Sequence, residues 1–253
     1  MSNSELIFEY CLRNGDDRVV LGQRMAEWCG KGPIIEEDLA LANISLDLIG
    51  QAVLFLKYAG EVEGKGRDED ALAYFRDERK YKNLLLVEQP NTDFAFTIAR
   101  QFFYDCYEYY FFTELANSSN ETLSAIAKKS IKETIYHLRH SSEWMLRLGD
   151  GTKLSNSRLQ DAVDYLWCYT GEMFEMTDLD DELLEEGISV DLTKIKPLWD
   201  AKVSEILEKA NIKMPDENTF MLKGGRKGIH TEYLGHLLSE MQILTRSYPG
   251  AKW

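Results

Sequence analysis

One long apolar stretch, residues 34–59, constrains the fold of this chain more than any other part of the sequence. It contains no proline after Pro33, and as a single helix it would be about 39 Å long. Large aliphatic side chains lie on all sides of such a helix: Leu39, Leu41, Ile44, Leu46, Leu48, Ile49, Val53 and Phe55. This pattern predicts a helix buried within a bundle. Four polar side chains nevertheless share one side of it: Glu36, Asn43, Asp47 and Gln51. A buried Asp47 would need a partner, a proton or a metal.

The rest of the chain also reads as helical, which predicts an all-α fold in one domain spanning residues 1–253. The pattern predicts a four-helix bundle built from these long helices: residues 17–29, 34–59, 94–115 and 121–148. Shorter peripheral helices are expected at residues 6–13, 158–176, 193–211 and 231–246. The first of these should end at Asn14-Gly15, and Asp16 or Asp17 should cap the helix that follows. Residues 178–187 are expected to form an acidic link.

The net charge of −14 disfavours binding to nucleic acids and to anionic membrane surfaces. No uninterrupted apolar run reaches the ~18 residues of a membrane span, and the N-terminus lacks the features of a signal peptide. The four cysteines are scattered without a CxxC motif. These features predict a reduced, cytoplasmic protein.

Carboxylates and histidines on bundle helices raise the possibility of a di-iron site. That architecture needs a Glu from each of two helices and a Glu-x-x-His motif from each of the other two. The residues three positions before the four histidines are Thr134, His137, Lys227 and Tyr233. The motif is therefore absent from the sequence.

The remaining polar residues leave two interpretations of the bundle interior. An autonomous di-iron oxidase or monooxygenase would have to use this set: Glu27, Asp47, Asp105, Glu133 and His137. The other interpretation is that these groups neutralise one another and no metal binds. The missing motif favours the second interpretation.

Two basic segments stand out against the acidic background. Residues 76–83 place two lysines around Tyr81, beside an amide, which would suit a phosphate-bearing ligand such as a coenzyme A tail. From the spacing alone, a solvated helix end is the favoured explanation. Residues 223–228, KGGRKG, lack the order of a nucleotide-binding loop. We expect them to form a basic loop that docks on an acidic neighbour.

Long motifs along nearly the whole chain resemble the family of structural subunits, the C subunits, of bacterial ring-1,2-phenylacetyl-CoA epoxidases, which are multicomponent di-iron monooxygenases. The motifs that carry this resemblance are RMAEWCGKGP, EEDLALANISLDLIGQA, RDERKYKNLLLVEQPNTDFAFTIARQFF, IKETIYHLRHSSEW, LRLGDGT, EEGI and GGRKGIHTEYLGHLLSEMQ followed by PGAKW. The resemblance implies a ferritin-like four-helix bundle with additional peripheral helices.

The resemblance also implies a function in aerobic phenylacetate degradation. Members of this family are structural and pair with a homologous catalytic partner, the A subunit, which carries the di-iron centre. A reductase subunit supplies electrons from NADPH, and the complex inserts one oxygen atom of O₂ into the ring of phenylacetyl-CoA. This chain would then hold no cofactor and have no catalytic residue of its own. Whether it forms a homodimer without its partner stays open, as does a plain scaffold role without any ligand contact.

Contact with the CoA part of the substrate is a further implication of the resemblance. The matching segment here consists of Lys80, Tyr81, Lys82 and Asn83. A weaker candidate lies in the predicted acidic link: Asp181, Glu182 and Leu183. Because acidic side chains repel phosphate, only backbone or apolar contact is expected at this second segment.

Overall fold

The computed structural model describes residues 2–251, and ten α-helices and no strand occur within this range. The helices are α1 (Asn3–Ala26), α2 (Ile35–Glu63), α3 (Glu69–Tyr74), α4 (Leu85–Glu88), α5 (Phe94–Leu115), α6 (Glu121–Gly149), α7 (Lys153–Trp167), α8 (Asp178–Glu185), α9 (Leu192–Lys209) and α10 (Glu232–Ser247). Short 3₁₀ turns occupy Glu78–Lys80, Gly171–Phe174 and Gly225–Lys227. The predicted all-α class is confirmed.

The chain divides into two compact units, residues 1–90 with 224–253 and residues 91–223. In the first unit, α1 and α2 pack side by side. Gly22 faces Ile49, and Gly15 faces Leu56. Because residue numbers rise along one helix as they fall along the other, the pair is antiparallel. A Cβ at Gly15 would lie 2.6 Å from Leu56 Cδ2, so glycine allows α2 to approach this closely.

The prediction of a helix break at Asn14-Gly15 is wrong, because α1 continues through both residues. Asn14 donates its side-chain NH₂ to the carbonyl of Tyr10, one turn earlier, instead of ending the helix. The packing of Gly15 against α2 outweighs the weak helix propensity of this dipeptide. Asp16 and Asp17 are consequently interior residues of α1, and Ser2 caps the helix in their place.

Helix α2 runs four residues beyond the predicted end and is not buried on all sides. Leu39 is 60% exposed and Leu46 is 69% exposed, while Leu41, Ile44 and Leu48 are fully buried. Asp47 is half-buried rather than buried. By length and composition α2 could also cross a membrane, with half of its most apolar window buried in this structure. A core helix of a protein without any membrane segment passes the same test.

The second unit is built on the pair α5 and α6, whose predicted bounds are reproduced to within one residue. Asp93 caps α5 through the backbone N–H of Phe96, and Asn120 caps α6 through that of Leu123. An edge-to-face contact of 4.9 Å between the rings of Phe94 and Trp144 brings the start of α5 to the end of α6, so this pair is also antiparallel.

Helices α7 and α9 cover the apolar side of α5. The rings of Phe103, Trp167 and Trp199 lie within 5.8 Å of one another, and Trp199 donates its indole N–H to the carbonyl of Phe103. The predicted acidic link is wrong, because Asp178–Glu185 forms α8. Leu179 and Leu183 pack its inner face, and Thr177 and Asp180 form a capping box.

Candidate functional site

Polar side chains from α5 and α6 meet inside the second unit, and we call this group the α5–α6 cluster. Its centre consists of Asp105, Glu108 and His137, which are fully buried. Ligand atoms of the three lie within 4.8 Å of one another. Among residues 2–251 no other group of three His, Cys, Asp or Glu residues comes this close together. The sequence places them here because Asp105 and Glu108 are one turn apart on the inner face of α5.

Neutral donors from the same two helices surround the carboxylates of this cluster. Gln101 donates to one oxygen of Asp105 at 2.6 Å, and Ser141 donates to the other at 2.7 Å. The Thr134 hydroxyl donates to Glu108 Oε2 at 3.1 Å. Both carboxylate oxygens of Asp105 and one of Glu108 therefore accept hydrogen bonds from donors within the chain.

Burial dominates the electrostatics of Asp105. It raises the pKa of this carboxyl group to about 7, although the charge of His137 and the hydrogen bond from Ser141 act in the opposite direction. The neighbouring Glu108 adds to the rise. Near neutral pH the Asp105 carboxyl group is therefore partly protonated, whereas an ordinary aspartate would be ionised.

The donor set of the α5–α6 cluster fits a redox metal pair poorly. A di-iron pair takes a Glu from each of two helices and a Glu-x-x-His from each of the others, whereas this cluster offers two carboxylates and one imidazole. Hydrogen-bond donors within the chain also engage three of the four carboxylate oxygens that would have to bind a metal. The arrangement is suited to mutual neutralisation of buried polar groups.

The residues considered for an autonomous di-iron enzyme are only partly brought together. Asp105 and His137 belong to the α5–α6 cluster, and Glu133 lies half-buried on α6 outside it. Glu27 and Asp47 belong to the first unit, where Glu27 pairs with Arg24 at 2.7 Å. Sequence reasoning did not include Glu108 among the candidate ligands. The three-residue spacing from Asp105 was the signal that could have identified it.

The segment predicted to contact CoA, residues 80–83, has alternating exposure in the first unit. The Lys80 side chain is exposed and that of Lys82 is half-buried, 3.5 Å from Glu9. Tyr81 and Asn83 are fully buried. Only the two lysines can therefore present side chains to a ligand from outside, and binding at this segment stays a prediction.

Buried contacts explain the conformation of this segment. The Tyr81 hydroxyl donates to the carbonyl of Ala73, and the guanidinium group of Arg76 lies 4.4 Å from the Tyr81 ring centre. Asn83 donates to Glu88 at 2.9 Å. The aromatic and amide groups that suggested a ligand site thus have structural contacts within the chain.

Two aspartates of α1 hold the basic segments in place. Asp16 pairs with Arg76 and accepts from the backbone N–H of Lys82. Asp17 pairs with Arg226 at 2.8 Å, and its other oxygen accepts from the backbone N–H of Leu84. The expectation that the KGGRKG loop docks on an acidic neighbour is confirmed at Arg226.

A groove of about 450 Å³ lies beside residues 77–78, between this segment and α10. Its lining includes Asp77, Glu78, Gln242 and Arg246 but neither lysine of the predicted contact segment. Arg246 lies 3.4 Å from Asp77. The groove therefore offers little net positive charge to a phosphate.

The second predicted contact segment lies on α8. Asp181 and Glu182 are exposed, and Leu183 is fully buried. The carbonyl of Leu183 accepts from the backbone N–H of Ile188 at 2.8 Å and so helps to end the helix. Contact of this segment with a substrate also stays a prediction.

A buried ion pair in the first unit was absent from the sequence interpretation. The two ring nitrogens of His230 lie 2.5 Å from Glu88 Oε1 and 2.9 Å from the carbonyl oxygen of Tyr81. Both partners are acceptors, so this geometry favours an imidazole ring that is protonated at both nitrogens. Burial alone would lower the pKa of His230, but the hydrogen bond and charge of Glu88 outweigh it and raise the pKa above 6.5.

Comparison with known proteins identifies the family. A family model described as phenylacetic acid catabolic protein matches residues 2–253. The chain belongs to this family. A similar protein from Escherichia coli (strain K12) is named as the C subunit of 1,2-phenylacetyl-CoA epoxidase. It is 51% identical over 244 residues, which cover 96% of this chain and 98% of the relative. The family match and the similarity to this relative together confirm the resemblance, and the helical fold agrees with the predicted ferritin-like class.

Proposed function

We propose that this chain is the non-catalytic structural subunit of a phenylacetyl-CoA 1,2-epoxidase complex and acts in the cytoplasm. Its partner would be a homologous catalytic subunit that carries the di-iron centre, with a reductase subunit supplying the electrons. The identity of 51% along nearly the full length of an epoxidase C subunit supports a role in such a complex.

The α5–α6 cluster is the observation that carries the non-catalytic part of this proposal. Gln101, Ser141 and Thr134 donate hydrogen bonds to both carboxylate oxygens of Asp105 and one of Glu108, and no Glu-x-x-His motif exists in the sequence. We infer that the cluster stabilises the helix pair α5 and α6 and that no redox metal binds to this chain.

Metal analysis and single-turnover assays test this proposal. The purified chain should contain far less than one iron atom per chain after incubation with Fe(II) under anaerobic conditions, and it should produce no epoxide from phenylacetyl-CoA. The catalytic subunit, treated identically, is the positive control. Epoxidation with NADPH, O₂ and the reductase should need the catalytic subunit, and this chain should strongly enhance it. Two iron atoms per chain, with an absorption band of an oxo-bridged pair, would instead establish an autonomous di-iron enzyme.

Contact between this chain and the CoA part of the substrate belongs to the same proposal. Lys80 and Lys82 support it, because their side chains reach the surface of an otherwise acidic chain. Charge reversal at both positions should raise the apparent KM of the complex for phenylacetyl-CoA. Reversal of the exposed Lys128 and Lys129 is the matched control. An unchanged KM in the first variant would argue for a scaffold without ligand contact.

A further inference from the structure

An apolar stripe runs along the outer face of α2, and we call it the outer stripe. It consists of Ile35, Leu39, Leu46 and Val53, which are 72%, 60%, 69% and 37% exposed. At 100° per residue these four side chains point within ~40° of one another. They span roughly 27 Å along the helix axis.

The side chains of the outer stripe are not part of the core of the first unit. On the opposite face of α2, Leu41, Ile44 and Leu48 are fully buried. The helix packs on α1 through Ile49 and Leu56, which lie against Gly22 and Gly15. Four large aliphatic side chains in one row approach the ~300–600 Å² of the largest apolar patch on a typical monomer, which is often functional. A standard interface takes about 800 Å² per partner. The stripe and its flanks can supply most of such an area.

The exposed acidic side chains of α2 lie on only one side of the outer stripe. Glu36 and Glu61 are exposed along one edge of α2. The other edge carries Ala42 and Ile49 and two acidic residues whose carboxylates have partners within the chain: Asp38 accepts from the backbone N–H groups of Gly30 and Gly32, and Glu63 pairs with Arg67. The exposed Lys57 lies one turn beyond Val53, the last apolar side chain of the stripe. A complementary partner surface would therefore be an apolar helix face with Lys or Arg along one side.

The same charge pattern disfavours the other occupants of the stripe. In an antiparallel pairing of α2 with a second copy of α2, each acidic edge would face its own counterpart. Each chain also carries a net charge of −14, which opposes self-association. An anionic membrane surface would meet the same repulsion from Glu36 and Glu61.

We propose that the outer stripe of α2 is the surface by which this chain binds its partner subunit, through an apolar helix with basic residues along one edge. This inference rests on the proposed function, because it assigns a surface to the contact between subunits named there. Apolar burial along Ile35, Leu39, Leu46 and Val53 holds the complex together, and the acidic edge orients the partner helix.

Binding of the purified catalytic subunit to Leu46→Asp tests the apolar part. Leu46 is 69% exposed, so the variant should fold normally, which circular dichroism and the unfolding midpoint verify. The dissociation constant should rise at least ~10-fold, because a buried partner contact becomes a buried charge. Leu154→Asp on α7, at a side chain 62% exposed, is the matched control and should bind as the wild type does.

The double variant Glu36→Lys with Glu61→Lys tests the charged edge. Its association rate at low salt should be several-fold lower than that of the wild type, and the difference should shrink as salt is added. Glu217→Lys, at an exposed residue outside α2, is the control. Equal rates for both variants would remove the charged edge from the inference.

The outcomes separate the two levels of the proposal. A wild-type chain that binds no epoxidase subunit would overturn the proposed function together with the assigned surface. If the wild type binds and Leu46→Asp binds equally well, only the assigned surface is wrong. Self-association of the wild type that Leu46→Asp abolishes would identify a second copy as the occupant. Flotation of the wild type with phosphatidylcholine vesicles would identify a membrane as the occupant. Self-association of this kind and flotation would each overturn the inference.

Discussion

At the scale of single residues, charged groups inside this protein are held by partners far away in the sequence. Asp16 and Arg76 are 60 positions apart, and Asp17 and Arg226 are 209 apart. Removing one member of such a buried pair leaves an uncompensated charge, which costs more than the pair itself contributes. Stability should therefore respond strongly to mutation at these positions.

His230 should make stability depend on pH. Because its pKa is raised above 6.5 in the folded chain, the native state keeps a proton that the unfolded state loses. The stabilisation is fully present below pH 6.5 and is lost as the pH rises through the raised pKa. At pH 6, His230→Gln should lower the free energy of unfolding by ~3 kcal/mol.

This loss should shrink at higher pH, which urea unfolding at several pH values measures. His236→Gln, at an exposed position on α10, is the control. A difference between His230→Gln and the wild type that is the same at pH 6 and pH 9 would contradict a charged His230.

Asp105 should contribute a second pH dependence. Its pKa of about 7 in the folded chain lies above the ordinary 3.8, so the native state binds the extra proton between these values. Stability should fall as the pH rises through this window, by up to ~4 kcal/mol. Asp105→Asn removes this titratable group. The free energy of unfolding of the variant, minus that of the wild type, should therefore be larger at pH 8 than at pH 5.

Unfolding of both proteins at these two pH values measures the effect. The exposed Asp161→Asn on α7 should follow the wild-type profile. A wild-type chain that gains stability relative to Asp105→Asn between pH 5 and pH 8 would show that Asp105 is charged in the native state and neutralised by its neighbours.

At the scale of elements, α2 contains glycines with opposite roles. A Cβ at Gly60 would overlap the carbonyl oxygen of Arg67, whereas a Cβ at Gly50 would meet nothing within 4 Å. Gly60 thus permits the chain to fold back closely after α2. Gly50 lies on the exposed face, where glycine only weakens the helix.

Alanine at these two positions should consequently have opposite effects on stability. Gly60→Ala should lower the free energy of unfolding by ~1–3 kcal/mol through overpacking, and Gly50→Ala should raise it by ~0.5–1 kcal/mol. Each variant serves as the control for the other, since both make the same chemical change in one helix. Chemical denaturation measures both, and equal signs would contradict the assigned roles.

At the scale of the whole molecule, the outer stripe of α2 links stability to assembly. A partner that binds only the native chain stabilises it by about 2.7 kcal/mol at a free concentration 100 times the dissociation constant. For a chain of this size we expect a rise in the Tm of ~5–10 °C with the catalytic subunit. An equal concentration of an unrelated acidic protein should leave the Tm unchanged.

Scanning calorimetry or thermal fluorescence at several partner concentrations measures this rise. It should increase with concentration and be much smaller for Leu46→Asp. A Tm that does not respond to the catalytic subunit would contradict the proposed structural role.

The sequence by itself determined the features that depend on neighbouring residues. The bounds of α5 and α6 were predicted to within one residue, and the side chains that cap them, Asp93 and Asn120, lie directly before each helix. Helical periodicity placed Asp105 and His137 on polar stripes of these helices. The absence of a Glu-x-x-His motif was also visible, because that motif is local. These features act over one or two turns, so the chain's later path does not alter them.

Only the tertiary structure decided the features that depend on the return of distant segments. The close approach of α2 kept Asn14-Gly15 helical, and the arrival of Arg76 and Arg226 turned Asp16 and Asp17 from expected caps into buried acceptors. The composition of α2 predicted burial on all sides, but helix packing in the first unit covers one face and leaves Leu39 and Leu46 exposed. Hydrophobicity measures the tendency of a side chain to leave water, and the arrangement of neighbouring helices determines which side chains do so within a single chain.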